Sequence, residues 1–179
     1  GRAKEYLKKG VQVCETEHNA LLYIRLTQLE EKQNLSKARS VIEIARMKIP
    51  RHEMLWLESI RLERRHDNPK LADNLMAKAL QECPVSGYLW SENLLTCPKN
   101  QTKSKSMDAL KKCDNNPQVI LAIARIFERE HKYAKAVKWY IRGVTLDPDF
   151  GDAWIYYYVL EIRQHGLGSV QTEEIVTKC

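Results

Sequence analysis

Five histidines, five cysteines and a periodic set of glutamates are the residues that could give this 179-residue chain acid–base, nucleophilic or metal chemistry. His66 lies ten residues after Trp56, and His131 and His165 lie eleven after Ile120 and Trp154. Proton transfer needs an imidazole set against a substrate in a cleft. A histidine that returns at the same distance from a repeated position instead marks a repeated turn. The cysteines, at 14, 83, 97, 113 and 179, form no CxxC pair, and no nearby histidine has metal-ligand spacing. Cys83 and Cys113 share one slot thirty residues apart, with no group placed to activate a thiolate. An odd count without a framework fits a reducing compartment, cytosol or nucleus. Glu30, Glu63 and Glu161 each follow an aromatic by seven residues, but the same place holds Cys97 and Phe127 elsewhere. A shared catalytic carboxylate would not be exchanged for phenylalanine, so these glutamates read as buried groups needing a hydrogen-bonding partner. No P-loop, GxGxxG, GxSxG or HExxH is present. The expectation is a protein that is not an enzyme, with no cofactor, no metal and no small-molecule substrate.

Binding chemistry is concentrated in one place. Lys99, Lys103, Lys105, Lys111 and Lys112 follow Cys97-Pro98, with serines and a threonine between them. This composition predicts a solvated, mobile loop running into a short helix, able to meet RNA phosphates or an acidic protein surface. No arginine and no aromatic ring is interleaved, as base stacking would want. The formal net charge of +6 permits either partner and identifies neither.

The elements that carry these groups are set by a repeat. Tyr23, Trp56, Trp90, Ile120 and Trp154 recur at intervals of 33, 34, 30 and 34 residues. Ala45, Ala79, Ala109 and Gly143 follow in register at 34, 30 and 34. Two series in step predict an all-α chain, an α-solenoid of about five stacked helix-turn-helix repeats. The aromatics read as filling between pairs rather than as a stacking platform for bases. The small residues read as the point where helix axes, ~8–10 Å apart, cross most closely. Capping and proline signals place units near 2–14, 19–48, 51–82, 86–112, 117–145 and 151–178, all in one domain over 1–179. Asn68-Pro69 and Asn116-Pro117 each read as an N-cap before a first-turn proline. Leu71, Ala72, Leu75, Met76, Ala79 and Leu80 form one apolar stripe, and Ala136, Val137, Tyr140, Ile141 and Val144 another. No apolar stretch approaches the ~20 residues of a membrane helix.

Leu55 to Glu63, LWLESIRLE, resembles the first helix of a half-a-TPR (HAT) repeat, a motif of RNA-processing proteins, and Tyr133 to Pro148 is more TPR-like. Leu75 to Trp90 (LMAKALQECPVSGYLW) and Ser106 to Pro117 (SMDALKKCDNNP) resemble the family of pre-mRNA-processing factor 6. The likeness covers roughly 38–178 well. It implies a fragment of a longer HAT/TPR array in a right-handed superhelical arc. In that family the repeats bridge the U5 and U4/U6 particles of the spliceosomal tri-snRNP, in the nucleus. The partners implied are snRNP proteins, with snRNA contact through the lysines as the alternative and self-association of uncapped terminal repeats as a third outcome. HAT proteins of polyadenylation or ribosomal RNA processing are the second assignment. Arg61, Arg64 and Arg65, near the end of one first helix, are candidate partner anchors, with a solvated turn the favoured reading.

Overall fold

A computed structural model describes residues 2–13 and 19–178. Within them lie eleven α-helices, one short 3-10 turn and no strand. They run α1 (Arg2–Val13), α2 (Asn19–Glu31), α3 (Leu35–Lys48), α4 (Glu53–Arg65), α5 (Pro69–Glu82) and α6 (Gly87–Thr96). The 3-10 turn Lys99–Gln101 follows, then α7 (Thr102–Lys112), α8 (Pro117–Arg129), α9 (Tyr133–Leu146), α10 (Gly151–His165) and α11 (Val170–Lys178). Two compact units divide the chain, 1–89 and 90–179, with the boundary inside α6. Cys14 and Cys179 lie outside the described residues.

The unit of construction is a helical hairpin, and each hairpin is closed by the same local chemistry. A second helix ends four residues after its small residue. There the backbone N–H of Ile49, Cys83, Cys113 and Asp147 donates to the carbonyl of Ala45, Ala79, Ala109 and Gly143, at 2.9, 2.8, 2.8 and 3.1 Å. Short reversals connect the helices, and Asp67, Asn115 and His131 take positive φ of 55°, 51° and 59° in them. Asp and Asn tolerate that region better than most side chains. Asn116 caps α8 as its sequence predicts, accepting from the N–H of Gln118 at 3.0 Å. Asn68 does not cap α5. Its amide donates instead to buried Glu63 at 3.2 Å, because a carboxylate removed from water competes better for the donor than a helix end does.

Apolar side chains collect in a series of hairpin-sized clusters rather than one centre. In the first unit, Tyr23, Ala38, Ile42, Ala45 and Leu55 form one, and Trp56, Ile60, Ala72, Met76 and Ala79 the next. In the second, Leu94, Ala109, Val119 and Ile123 form a third, and Ala136, Tyr140, Val144, Trp154 and Leu160 a fourth. The stripes of α5 and α9 are narrower than the sequence pattern predicts. Ala72, Met76 and Ala79 are buried, as are Ala136, Tyr140 and Val144, whereas Leu71 and Ile141 are both 45% exposed. The buried line advances by four and three residues, and positions 71 and 141 fall off its edge.

Candidate functional site

Each predicted anchor has a definite place. Tyr23, Trp56, Ile120 and Trp154 are buried, and Trp90 is half-buried against the cluster of Ala109 and Cys113. Ala45, Ala79 and Ala109 are wholly enclosed. A Cβ at Gly143 would meet Ile120 of its own hairpin at 3.6 Å and Ala153 of the next at 3.8 Å. The small slot therefore touches its own first helix and the following one. Trp56 and Trp154 also share a polar contact the sequence reading missed. Each indole N–H donates to a proline carbonyl six residues earlier, Pro50 at 2.7 Å and Pro148 at 2.8 Å. The Pro-x5-Trp spacing, which Pro84 and Trp90 also have, was the signal that could have revealed it.

The glutamates are structural. Glu63 is buried and takes the guanidinium of Arg39, on the preceding second helix, through two bonds of 2.7 and 2.6 Å. Glu30 is paired with Lys4 of α1 at 2.5 Å. Glu161 meets His165, one turn along its own helix, at 3.4 Å. Nothing in these pairs is poised to move a proton. The thiols are equally settled: Cys83 donates to the Arg51 carbonyl at 3.3 Å, and burial pushes its pKa up, opposite to what a nucleophile needs. His66 meets Glu31 at 3.0 Å and His131 meets the Tyr133 hydroxyl at 2.8 Å, both at hairpin turns. No group of three or more potential metal ligands occurs among the described residues. No helix among them is long and apolar enough to cross a membrane.

A third periodic series escaped the sequence reading. Nine residues after each anchor stands a cation: Lys32, Arg65, Lys99, Arg129 and Arg163. The arginines reach back to the preceding first helix. Arg65 binds Glu31 through two bonds of 2.9 and 2.8 Å and also Glu58 at 2.8 Å. Arg129 donates to the Leu95 carbonyl at 3.0 Å, and Arg163 to Glu128 at 2.8 Å. The bond from Arg65 holds the Glu31 carboxyl below the usual carboxylate range. Arg64 pairs with Asp73 at 3.5 Å, so both it and Arg65 serve the fold before any partner.

The lysine stretch runs into a short helix as its composition predicts, with a 3-10 turn where the loop was expected. Lys99 lies in the 3-10 turn and the other four lie on α7, which is anchored by buried Thr102 and Ala109. Lys99, Lys103, Lys111 and Lys112 are exposed, but Lys105 is half-buried and donates to buried Asn93 at 3.0 Å. Glu130 is held low mainly by Lys132 at 2.5 Å and more weakly by Lys99, so Lys99 faces a carboxylate of its own unit. Helical spacing of 100° per residue sets Lys105 and Lys112 on one face of α7 and Lys103 on the opposite one. The five are not gathered into one patch.

What the surface offers is grooves. In the second unit a groove of about 810 Å³ runs over α8 and α10, lined by Arg125, Arg129, Tyr133, Ile155, Tyr156 and Arg163, among others. Arg125 lies 4.5 Å from the Tyr156 ring centroid, a cation–π pair that fixes both side chains. A second groove, of about 430 Å³, lies in the first unit over α3, α4 and α5.

Repeated helical hairpins define the class: an all-α protein of the tandem-repeat solenoid type. The solved structure of PilW, a type IV pilus biogenesis factor, shares the fold, with a TM-score of 0.59 at 15% identity over 91% of this chain and 77% of that one. No family model matches the chain. It is 40% identical over 156 residues to pre-mRNA-splicing factor prp1 of Schizosaccharomyces pombe, covering 87% of this chain and 17% of that protein. It is 46% identical over 79 residues to human pre-mRNA-processing factor 6, 44% of this chain and 8% of that protein. The chain is homologous to a segment of these splicing factors and spans under a fifth of their length.

Proposed function

We propose that this chain is a non-enzymatic, protein-binding segment of a nuclear pre-mRNA splicing factor, part of a longer repeat array. The observation that carries the reading is the 40% identity to a splicing factor over 87% of the chain. The side-chain chemistry supports it: carboxylates, thiols and histidines are taken up in holding helices together, and grooves are left for partners. Rigid hairpins present a preformed surface, so a partner segment is the main element that must be ordered on binding. The finer role we assign is the bridging of U5 and U4/U6 particles in the tri-snRNP through snRNP proteins.

The test is affinity purification of the full-length parent with identification of its associated RNAs and proteins. Spliceosomal RNAs and snRNP proteins are the expected result. A ribosome-assembly or polyadenylation complex lacking spliceosomal RNAs would overturn it. Direct RNA contact is the second reading, supported by the exposure of Lys99, Lys103, Lys111 and Lys112. Such contact would weaken steeply with salt and vanish when those four are neutralised.

A further inference from the structure

Four second helices share a small-residue slot, and the residue that follows it is Arg46, Leu80, Leu110 and Val144 in turn. Three of the four are apolar and pack into their clusters. Only the first places a guanidinium there, so packing alone does not require it. Arg46 lies flat on the anchor tryptophan, 4.6 Å from the Trp56 ring centroid. Its Nε is buried and meets no hydrogen-bond acceptor among the described residues. Glu63, on the same groove, is bonded to Arg39, and Glu43 and Glu63 act on Arg46 only through space. Burial pulls the Arg46 pKa down from the ordinary guanidinium value, yet arginine stays charged at any physiological pH. A half-buried cation without a bonded counter-ion costs stability that its sister positions do not incur.

Around it the groove is open and mixed. Met47 is 78% exposed and Leu71 45%, with Leu75 beneath and Lys78 at the rim. Set aside the closed Arg39–Glu63 pair, and the groove holds Arg46 and Lys78 against Glu43. Exposed apolar side chains beside an aromatic-backed arginine are what a protein interface core is made of. We propose that this groove binds an acidic peptide segment of a partner protein. A carboxylate of the segment caps the groove side of the Arg46 guanidinium, with Lys78 as the second cation. A neighbouring apolar side chain of the segment covers Met47 and Leu71. A polyphosphate is the poorer fit, since the apolar walls offer its backbone nothing. The site belongs to the first unit, the lysine-bearing helix and the larger groove to the second, and the inference stands whichever complex contains the parent.

The experiment uses the 179-residue chain and a fluorescein-labelled peptide of alternating glutamate and leucine, read by anisotropy. Its glutamine–leucine counterpart and a single-stranded RNA oligonucleotide serve as competitors. Arg46→Leu installs the side chain its sisters carry, so it folds, and thermal melting checks that it does. The acidic peptide is expected to bind with a Kd below about 1 mM, and Arg46→Leu and the glutamine peptide each to weaken binding about tenfold or more. In labelled protein the Arg46 Nε–H resonance moves with the acidic peptide only. Binding unchanged in Arg46→Leu, equal binding of the glutamine peptide, or none of the acidic peptide up to about 1 mM would overturn the proposal. Displacement of the peptide by RNA in wild type but not in Arg46→Leu would assign the site to nucleic acid and overturn it as well.

Discussion

Trp56 in the first unit and Trp154 in the second occupy one slot of one repeat, and each gives its indole N–H to a proline carbonyl six residues back. Their surroundings differ at one equivalent slot in particular. Trp56 is covered by the Arg46 guanidinium, whereas Trp154 shares its cluster with Val144, the residue in the same slot. The hydrogen bond recurs because it satisfies an indole donor that the repeat has enclosed. The arginine does not recur because the repeat has no use for it. Shared contacts between equivalent positions thus report how hairpins are held, and unshared ones report what a particular hairpin presents to others.

Exchanging the neighbours should break that comparison most visibly. Val144→Arg places a charge where the native residue is 7% exposed and should cost about 3–5 kcal/mol in urea denaturation. Arg46→Leu should leave the midpoint unchanged or raise it. Equal losses from both would mean that Arg46 is a structural residue after all. The next largest effect belongs to the small slot. Ala79→Phe, at a position with no exposed surface, should overpack the hairpin by up to about 3 kcal/mol in the same assay.

Spacing made the hairpins legible because a solenoid writes its contacts at nearly constant distance along the chain. Ala45, Ala79, Ala109 and Gly143 could be placed from sequence because only a small side chain survives at a crossing. The cation series at Lys32, Arg65, Lys99, Arg129 and Arg163 was equally periodic and still missed. Its members carry no common meaning in the sequence, where Arg65 reads as a candidate partner anchor and Lys99 as part of a basic loop. Lys105 could not have been assigned its inward bond, since Asn93 lies on another helix and its burial follows from a turn that composition reads as mobile. Arg46 was illegible for a different reason. Its significance lies in contrast with Leu80, Leu110 and Val144, and in a ring whose direction only the folded hairpin fixes.

Glu63 and Glu161 sharpen the comparison at smaller scale. Both are buried seven residues after a tryptophan, but only Glu63 is clasped by a cation from the preceding hairpin. Glu63→Gln keeps the shape, loses a charge-assisted pair and turns an amide donor toward Arg39, for a cost of about 2 kcal/mol. Glu161→Gln gives up only a 3.4 Å contact to His165 within its own helix and should cost less than half as much. Chemical denaturation of the two variants side by side decides it. A larger loss at Glu161 would mean that its helix relies on the carboxylate more than the geometry allows.

Gly143 makes the smallest test and the one with the opposite sign. It is the only member of its series without a methyl group, although the added Cβ would rest at 3.6 Å from Ile120 and 3.8 Å from Ala153, ordinary contact distances. Glycine inside a helix loses more backbone freedom on folding than alanine does, so Gly143→Ala should stabilise the second unit by about 0.5–1 kcal/mol. The Ala45, Ala79 and Ala109 slots have already made that substitution, and each carries the same bond from a backbone N–H four residues later. A rise in thermal midpoint for Gly143→Ala would place position 143 in the same packing class as its sisters. A fall would show that the hairpins of α8, α9 and α10 approach more closely than those of the first unit, and that glycine is retained there for room.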